Sequence, residues 1–124
     1  MSVFERITKE MRSGMVLYTP VRRKQFIVDS IDAEKLVFRV GTKTPIRIPK
    51  VCWDDIPNFL RGRGWVEIRP KHDVAPRGSF GEYLDTFWEE GKTHASAAEY
   101  VVPVLEHLGI VEVDHSAPSK VRLK

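Results

Sequence analysis

Four short apolar stretches between residues 16 and 49 constrain the fold of this chain more than any other feature. Their sequences are VLYT, QFIVDSI, KLVFRV and IRIP, and the links between them are PVRRK, DAE and GTKTP. Alternation of apolar and polar residues favours strands, and links this short join antiparallel neighbours as hairpins. The region therefore predicts a four-stranded antiparallel β-meander.

A common apolar face indicates how these strands pair. The side chains expected to share one core are Phe26, Val28, Leu36, Phe38, Val40, Ile46 and Ile48. Because strand side chains alternate between the two faces of a sheet, this requirement places Val40 opposite Ile46. It also places Phe38 opposite both Val28 and Ile48.

The same pairing predicts the composition of the outer face. Arg39 lies directly across from Arg47, Lys43 lies in the loop between them, and Asp29 is a diagonal neighbour. Like charges directly opposite each other are destabilising unless they are solvated or paired. The outer face is therefore predicted to be either a solvated surface, of the kind that guards edge strands against aggregation, or an anion site.

Helical patterns flank the meander. Residues 2–13 predict a short leading helix, and the stretch CWDDIPNFLRGRG predicts a helix whose cap is Asp54 or Asp55. Ser79 and Ser96 each precede a glutamate by three residues. This spacing is typical of a capping box, in which the two side chains satisfy free amide groups at a helix start.

Strand patterns separate and follow these helices. The stretch GWVEIR predicts a strand with Val66 and Ile68 on one side. At the end of the chain a hairpin is expected, in which Ile110, Val111 and Val113 pair with Val121 and Leu123 across the loop DHSAPS.

Composition predicts a soluble protein of the cytoplasm. The chain has 124 residues, 30% of them charged, and no apolar run approaches the roughly 20 residues that a bilayer requires. The first ten residues already carry acidic and basic side chains, unlike a signal peptide. We expect no membrane association, and the single Cys52 is expected to be a small buried residue.

Charge is distributed unevenly along the chain. Residues 1–77 contain 16 lysines and arginines against 9 acids, whereas residues 78–124 contain 4 against 8. The front of the chain is therefore basic and the back acidic, which bears on any nucleic-acid partner.

The order of elements after Trp53 carries a resemblance to a known fold. Helix, strand, helix, helix, strand, loop and strand follow one another, and this order resembles the winged-helix variant of the helix-turn-helix. The expected fold class is therefore α+β, with a leading helix and antiparallel β-meander at residues 1–52 packed on a winged-helix-like subdomain at residues 53–124.

The resemblance implies a small DNA-binding protein of regulatory function. Its third helix would lie in the major groove, with Thr93, Ser96 and Tyr100 at the exposed leading end, while Lys120 and Arg122 would lie on the wing. The two presumed helix-turn-helix helices are acidic, however, and duplex binding draws most of its affinity from neutralised phosphates. Pro103 is expected on the polar side of the third helix, where it would bend that helix away from the core.

Basic residues elsewhere offer another surface for phosphates. Arg22, Arg23 and Lys24 precede the second strand, and further cations follow in the meander and around the next helix. The residues expected to contact DNA phosphates there are Arg39, Lys43, Arg47, Arg61, Arg63, Arg69, Lys71 and Arg77.

No motif supports catalysis. The chain has no glycine-rich phosphate loop, and its four histidines show no metal-ligand spacing. We therefore expect no enzymatic activity, metal or cofactor.

Two hypotheses for the function remain. The first is binding of duplex DNA, and the second is a protein-interaction or homodimerisation module that uses an acidic winged helix without nucleic acid. The exposure of Trp65 and Tyr100 is expected to help distinguish them.

Overall fold

Two antiparallel sheets and four helices make up the computed structural model of the protein, which describes residues 1–41, 45–68, 78–85, 87, 97–116 and 118–124. In chain order these elements are α1 (Val3–Glu10), β1 (Val16–Tyr18), β2 (Gln25–Ile31), β3 (Lys35–Arg39), β4 (Ile46–Pro49), α2 (Lys50–Leu60), β5 (Val66–Glu67), α3 (Phe80–Asp85), α4 (Ala97–His107), β6 (Val111–Asp114) and β7 (Lys120–Leu123). The N-terminal sheet has the strand order β1-β2-β3-β4, and the C-terminal sheet has the order β5-β7-β6. The predicted α+β class is confirmed.

Strand pairing in the N-terminal sheet agrees with the prediction at one pair and differs at the next. Val28 lies opposite Phe38, as predicted. Phe38 lies opposite Ile46, however, so its predicted partner Ile48 and the predicted pairing of Val40 with Ile46 are both wrong. A shift of two residues keeps every side chain on its face, so the apolar alternation is the same in both registers.

This shift separates the two arginines of the outer face. Arg47 lies opposite Val37, and Arg39 lies opposite Ile27. The prediction that Arg39 and Arg47 lie directly across from each other is therefore wrong. Each has an apolar cross-strand partner, so pairing alone does not force the two charges together.

Helix α2 begins earlier than predicted. It starts at Lys50, immediately after β4, and its N-cap Pro49 contributes no side-chain hydrogen bond. The predicted capping role of Asp54 or Asp55 is wrong, because both lie inside this helix. The Asp54 carboxylate instead accepts a hydrogen bond of 2.9 Å from the backbone N–H of Phe4, in the first turn of α1. An acid predicted to cap its own helix thus stabilises the start of another.

The start of α3 agrees with its predicted capping residue. The Ser79 hydroxyl accepts a hydrogen bond of 3.1 Å from the Glu82 backbone N–H. The Glu82 carboxylate accepts one of 2.8 Å from the backbone N–H of Gly78, one residue before the expected position. The second predicted cap, Ser96, lies outside the described residues.

One hydrophobic core includes side chains from both predicted subdomains. The Phe38 ring of β3 lies 6.3 Å from the Trp53 ring of α2 and 6.3 Å from the Tyr100 ring of α4, measured between centroids. The boundary predicted between residues 52 and 53 falls inside α2, and the division into two subdomains stays a prediction. Helix α4 is thus packed against the N-terminal sheet, which determines what its surface can contact.

Candidate nucleic-acid interface

Helix α4 has the position in the chain that the winged-helix resemblance gives to a recognition helix. Eight of its eleven residues are buried: Ala97, Ala98, Tyr100, Val101, Val102, Pro103, Val104 and Leu105. The predicted position of Pro103 on the polar side is therefore wrong. Glu106 and His107 are exposed and Glu99 is half-buried. A helix covered in this way offers DNA little beyond carboxylates at its surface.

Tyr100 is not exposed, and the prediction that it lies at an open leading end is wrong. Its side chain and backbone are together 5% exposed. Its ring centroid lies 4.9 Å from that of Phe26 in an edge-to-face arrangement, and burial raises the pKa of its hydroxyl. The physical reason is the N-terminal sheet, which the resemblance leaves unexplained and which covers this side of α4. Thr93 and Ser96 lie outside the described residues.

The cations of the C-terminal hairpin have acidic neighbours. Arg122 Nη2 lies 2.6 Å from Glu112 Oε2, and its guanidinium carbon lies 4.4 Å from the centre of the Trp65 ring. Lys120 lies opposite Asp114 in the strand pairing. Local acids therefore offset much of the positive charge predicted for the wing, which weakens it as a phosphate contact.

The two arginines after α2 turn back onto that helix. The Arg63 Nε donates a hydrogen bond of 2.5 Å to the backbone oxygen of Phe59, and the guanidinium lies over the ring of the same residue. The Arg61 guanidinium donates one of 3.3 Å to the side chain of Asn58. Both arginines remain exposed, but their geometry is that of side chains that complete the end of a helix.

Arg39 forms a two-pronged ion pair on the outer face of the N-terminal sheet. Its Nε and Nη2 lie 3.1 and 3.3 Å from the two carboxylate oxygens of Asp29. Asp29 is the residue at which the pairing of β2 with β3 shifts register, and its hydrogen bonds raise the pKa of the arginine. Asp29 thus neutralises the charge of Arg39, as expected. Arg39 is therefore less available to an external anion than an unpaired arginine would be.

Three further cations lie at one end of this sheet. Adjacent antiparallel strands place the β1–β2 turn and the β3–β4 loop at the same end of the sheet. The β2–β3 turn, with Asp32 and Glu34, lies at the other. We define the basic end of the sheet by Arg22, Arg23 and Lys24 in the β1–β2 turn. Arg47 of β4 lies farther along the outer face, level with Val37 and Ser30 in the strand pairing.

Three cations of this sheet and its turns are free to meet an anion. Arg22, Lys24 and Arg47 are exposed, and within the described ranges their charged groups have no hydrogen bond or ion pair. Arg23 lies over the ring of Tyr18, with 5.7 Å between its guanidinium carbon and the ring centre. The sequence prediction placed all four residues on a possible basic surface, and it placed Arg47 among the expected phosphate contacts.

The β1–β2 turn that carries these cations is well ordered by hydrogen bonds. Thr19, which is buried, donates from its backbone N–H to the Lys24 oxygen at 3.0 Å and accepts at its hydroxyl from the Lys24 N–H at 2.9 Å. Arg23 has a φ of 54°. Hydrogen bonds therefore hold the backbone of this turn, so binding would order the basic side chains but little of the backbone.

The described residues provide no group of three or more metal-binding side chains, and none of their helices has the length and apolar character that a bilayer crossing needs. Cys52 is buried beside Asp55, and burial raises the pKa of its thiol to about 12. Such a thiol is a poor nucleophile at neutral pH.

The predicted contacts Lys43, Arg69, Lys71 and Arg77 lie outside the described residues.

Comparison of the chain with known proteins gives no match to a family model, to a curated protein or to a solved structure. Its function has therefore to be argued from the geometry and charge of its own surface.

Proposed function

We propose that this protein binds duplex DNA through the basic end and the outer face of its N-terminal sheet. The observation that carries the proposal is a set of three exposed, unpaired cations, Arg22 and Lys24 at the basic end and Arg47 farther along the outer face. Phosphate neutralisation supplies most of the affinity of non-specific DNA binding, and these three side chains have the charge that such binding needs. A regulatory role fits a small DNA-binding protein of this kind.

In this proposal the C-terminal half is a winged-helix unit that acts as a scaffold. Its support is the strand order β5-β7-β6, with β5 beside the terminal hairpin, and the helices α2, α3 and α4 at the expected places in the chain. Helix α4 is buried against the N-terminal sheet, so the phosphate contacts move from the helix and wing to that sheet.

Titration of a fluorescein-labelled duplex of mixed sequence, followed by fluorescence polarisation at two salt concentrations, tests the proposal. Three phosphate contacts predict a slope of about −2.7 for log affinity against log salt, so affinity falls about fortyfold between about 50 and 200 mM salt. Absence of binding at the lower salt concentration would refute the proposal.

The Asp29→Asn variant is expected to bind DNA more tightly than the unchanged protein. The two carboxylate oxygens of Asp29 accept hydrogen bonds from Nε and Nη2 of Arg39. Loss of the Asp29 charge makes Arg39 available as a fourth phosphate contact. The salt slope is then expected to steepen by about 0.9, measured in the same titration. Asp32→Asn removes an equal charge at the opposite end of the sheet, where Asp32 pairs with Lys35. An equal gain in both variants would show that net charge, not Arg39, is responsible.

A protein-interaction module is the second candidate, and Trp65 favours it. This side chain is 44% exposed and lies beneath the Arg122 guanidinium, and exposed tryptophan and arginine are the residues that most often dominate protein interfaces. Size-exclusion chromatography with light scattering is expected to detect self-association if this surface joins two copies. Trp65→Ala should then return the protein to a monomer, and a monomer at every concentration would exclude a homodimer.

A further inference from the structure

His115 connects the tip of the C-terminal hairpin to the turn that carries the basic end. Its Nδ1 lies 2.8 Å from the backbone oxygen of Pro20, the residue that opens the β1–β2 turn after Thr19. Its Nε2 lies 2.9 Å from Glu106 Oε2 on α4. One imidazole thus joins the hairpin to the preceding helix and to a turn 95 residues away in the chain.

Both partners of this imidazole are acceptors, which determines its favoured charge. A neutral imidazole has one N–H and one lone pair, so it can satisfy either the Pro20 oxygen or the Glu106 carboxylate, but not both. The imidazolium donates to both at once. The hydrogen bond to Pro20 raises the pKa of His115, burial opposes this, and the bond to Glu106 raises it further.

The other charged groups around His115 differ in sign. Arg23, in the β1–β2 turn, lowers the pKa of the imidazole through charge repulsion. On the hairpin itself Asp114 lies next to His115 and opposite Lys120, and the Ser116 hydroxyl holds the pKa of the Asp114 carboxyl below its usual range. Arg23 is therefore the cation whose neutralisation would favour the imidazolium.

Arg23 has a backbone conformation that its side chain does not favour. Among the described residues it is the one non-glycine residue at positive φ, at 54°. This region is unfavourable for a residue with a Cβ atom, and such outliers are frequent at functional sites. A glycine would fit the turn more easily, which points to a use for the arginine side chain itself.

We propose that His115 couples protonation to phosphate binding at the basic end of the sheet. The inference rests on the proposed DNA-binding function. A phosphate held by Arg22 and Lys24 offsets the charge of Arg23, which lies between them in the turn and opposes the imidazolium, so binding promotes proton uptake at His115. Because coupling between two sites is reciprocal, the imidazolium in turn strengthens phosphate binding. The hydrogen bonds of His115 with Pro20 and Glu106 connect the hairpin tip to the turn. Through them DNA affinity depends on pH.

The experiment is the polarisation titration at about pH 6 and about pH 8.5, on either side of the usual histidine range. Affinity is expected to be about fivefold higher at the lower pH, the small end of typical coupling, because His115 is 40% exposed. His115→Gln keeps a hydrogen-bonding side chain without the titration, and it is expected to remove the difference. His107→Gln, which changes an exposed histidine at the end of α4, next to Glu106, is the matched control and should retain it.

Two further variants give opposite shifts that a merely structural contact would not produce. In NMR titrations of the free protein, Glu106→Gln is expected to lower the pKa of His115, and Arg23→Gly to raise it. Added DNA should raise it in the unchanged protein and leave it unaltered in Arg23→Gly.

The possible failures are distinguishable. Affinity that does not change with pH, or a pH difference that survives His115→Gln, would overturn the coupling and leave the proposed function standing. Absence of binding at either pH would overturn the proposed function and the coupling together.

Discussion

Replacement of Tyr100 by alanine is expected to lower the free energy of unfolding by about 3 kcal/mol, the lower end for loss of a buried aromatic ring. The Tyr100 ring packs against Phe26 and Phe38 of the N-terminal sheet, so its removal leaves a cavity between α4 and that sheet. Total stabilities of small domains are about 5 to 15 kcal/mol, and the effect is therefore a large one. Urea denaturation followed by tryptophan fluorescence measures it.

The Tyr100→Phe variant separates packing from nucleic-acid contact. It keeps the ring and removes the hydroxyl, so the free energy of unfolding is expected to change by less than about 1 kcal/mol. DNA affinity and sequence preference should stay unchanged. A changed sequence preference in a stable Tyr100→Phe protein would mean that this residue reaches the bases, and the assignment of α4 to the scaffold would then fail.

Features fixed by neighbouring residues could be predicted from the sequence. The alternation around Phe26 and Val28 indicated a strand, and the spacing of Ser79 and Glu82 indicated a helix start. Both depend on contacts within a few residues. The terminal hairpin, in which Val113 lies opposite Val121, belongs to the same class.

Features that depend on distant partners were not predictable in this way. The register of β4 is one example, because a shift of two residues preserves the apolar face and leaves the pattern unchanged. Asp54 is another, since its hydrogen-bond partner Phe4 is 50 residues away. The contact of His115 with Pro20 spans 95 residues and left no trace in local spacing.

The burial of α4 did have a signal in the sequence. The run AAEYVVPVLEH is apolar on almost every side, and a helix that is apolar all round is usually buried. The winged-helix resemblance instead assigned one side to DNA, and Tyr100 was placed there. The composition of the helix was the better guide to its surroundings than the order of elements.

Reversal of both Arg22 and Arg47 to glutamate is expected to reduce DNA affinity on the order of 100-fold at low salt, because two phosphate contacts are lost and two repulsive charges gained. The salt slope should flatten by about 1.8 for the two contacts. Both side chains are exposed and unpaired within the described ranges, so the fold is expected to survive. Circular dichroism checks the fold, and the polarisation titration measures both changes.

The matched control reverses Lys9 and Lys50, which gives the same change in net charge away from the basic end. Lys9 lies in the last turn of α1, and the Lys50 backbone N–H donates to Glu34 at the acidic end of the sheet. If phosphates contact the basic end, this variant should lose far less affinity and keep its salt slope. Equal losses in the two double variants would mean that net charge alone attracts DNA. A loss confined to Lys120 or Arg122 variants would place the contact on the wing instead.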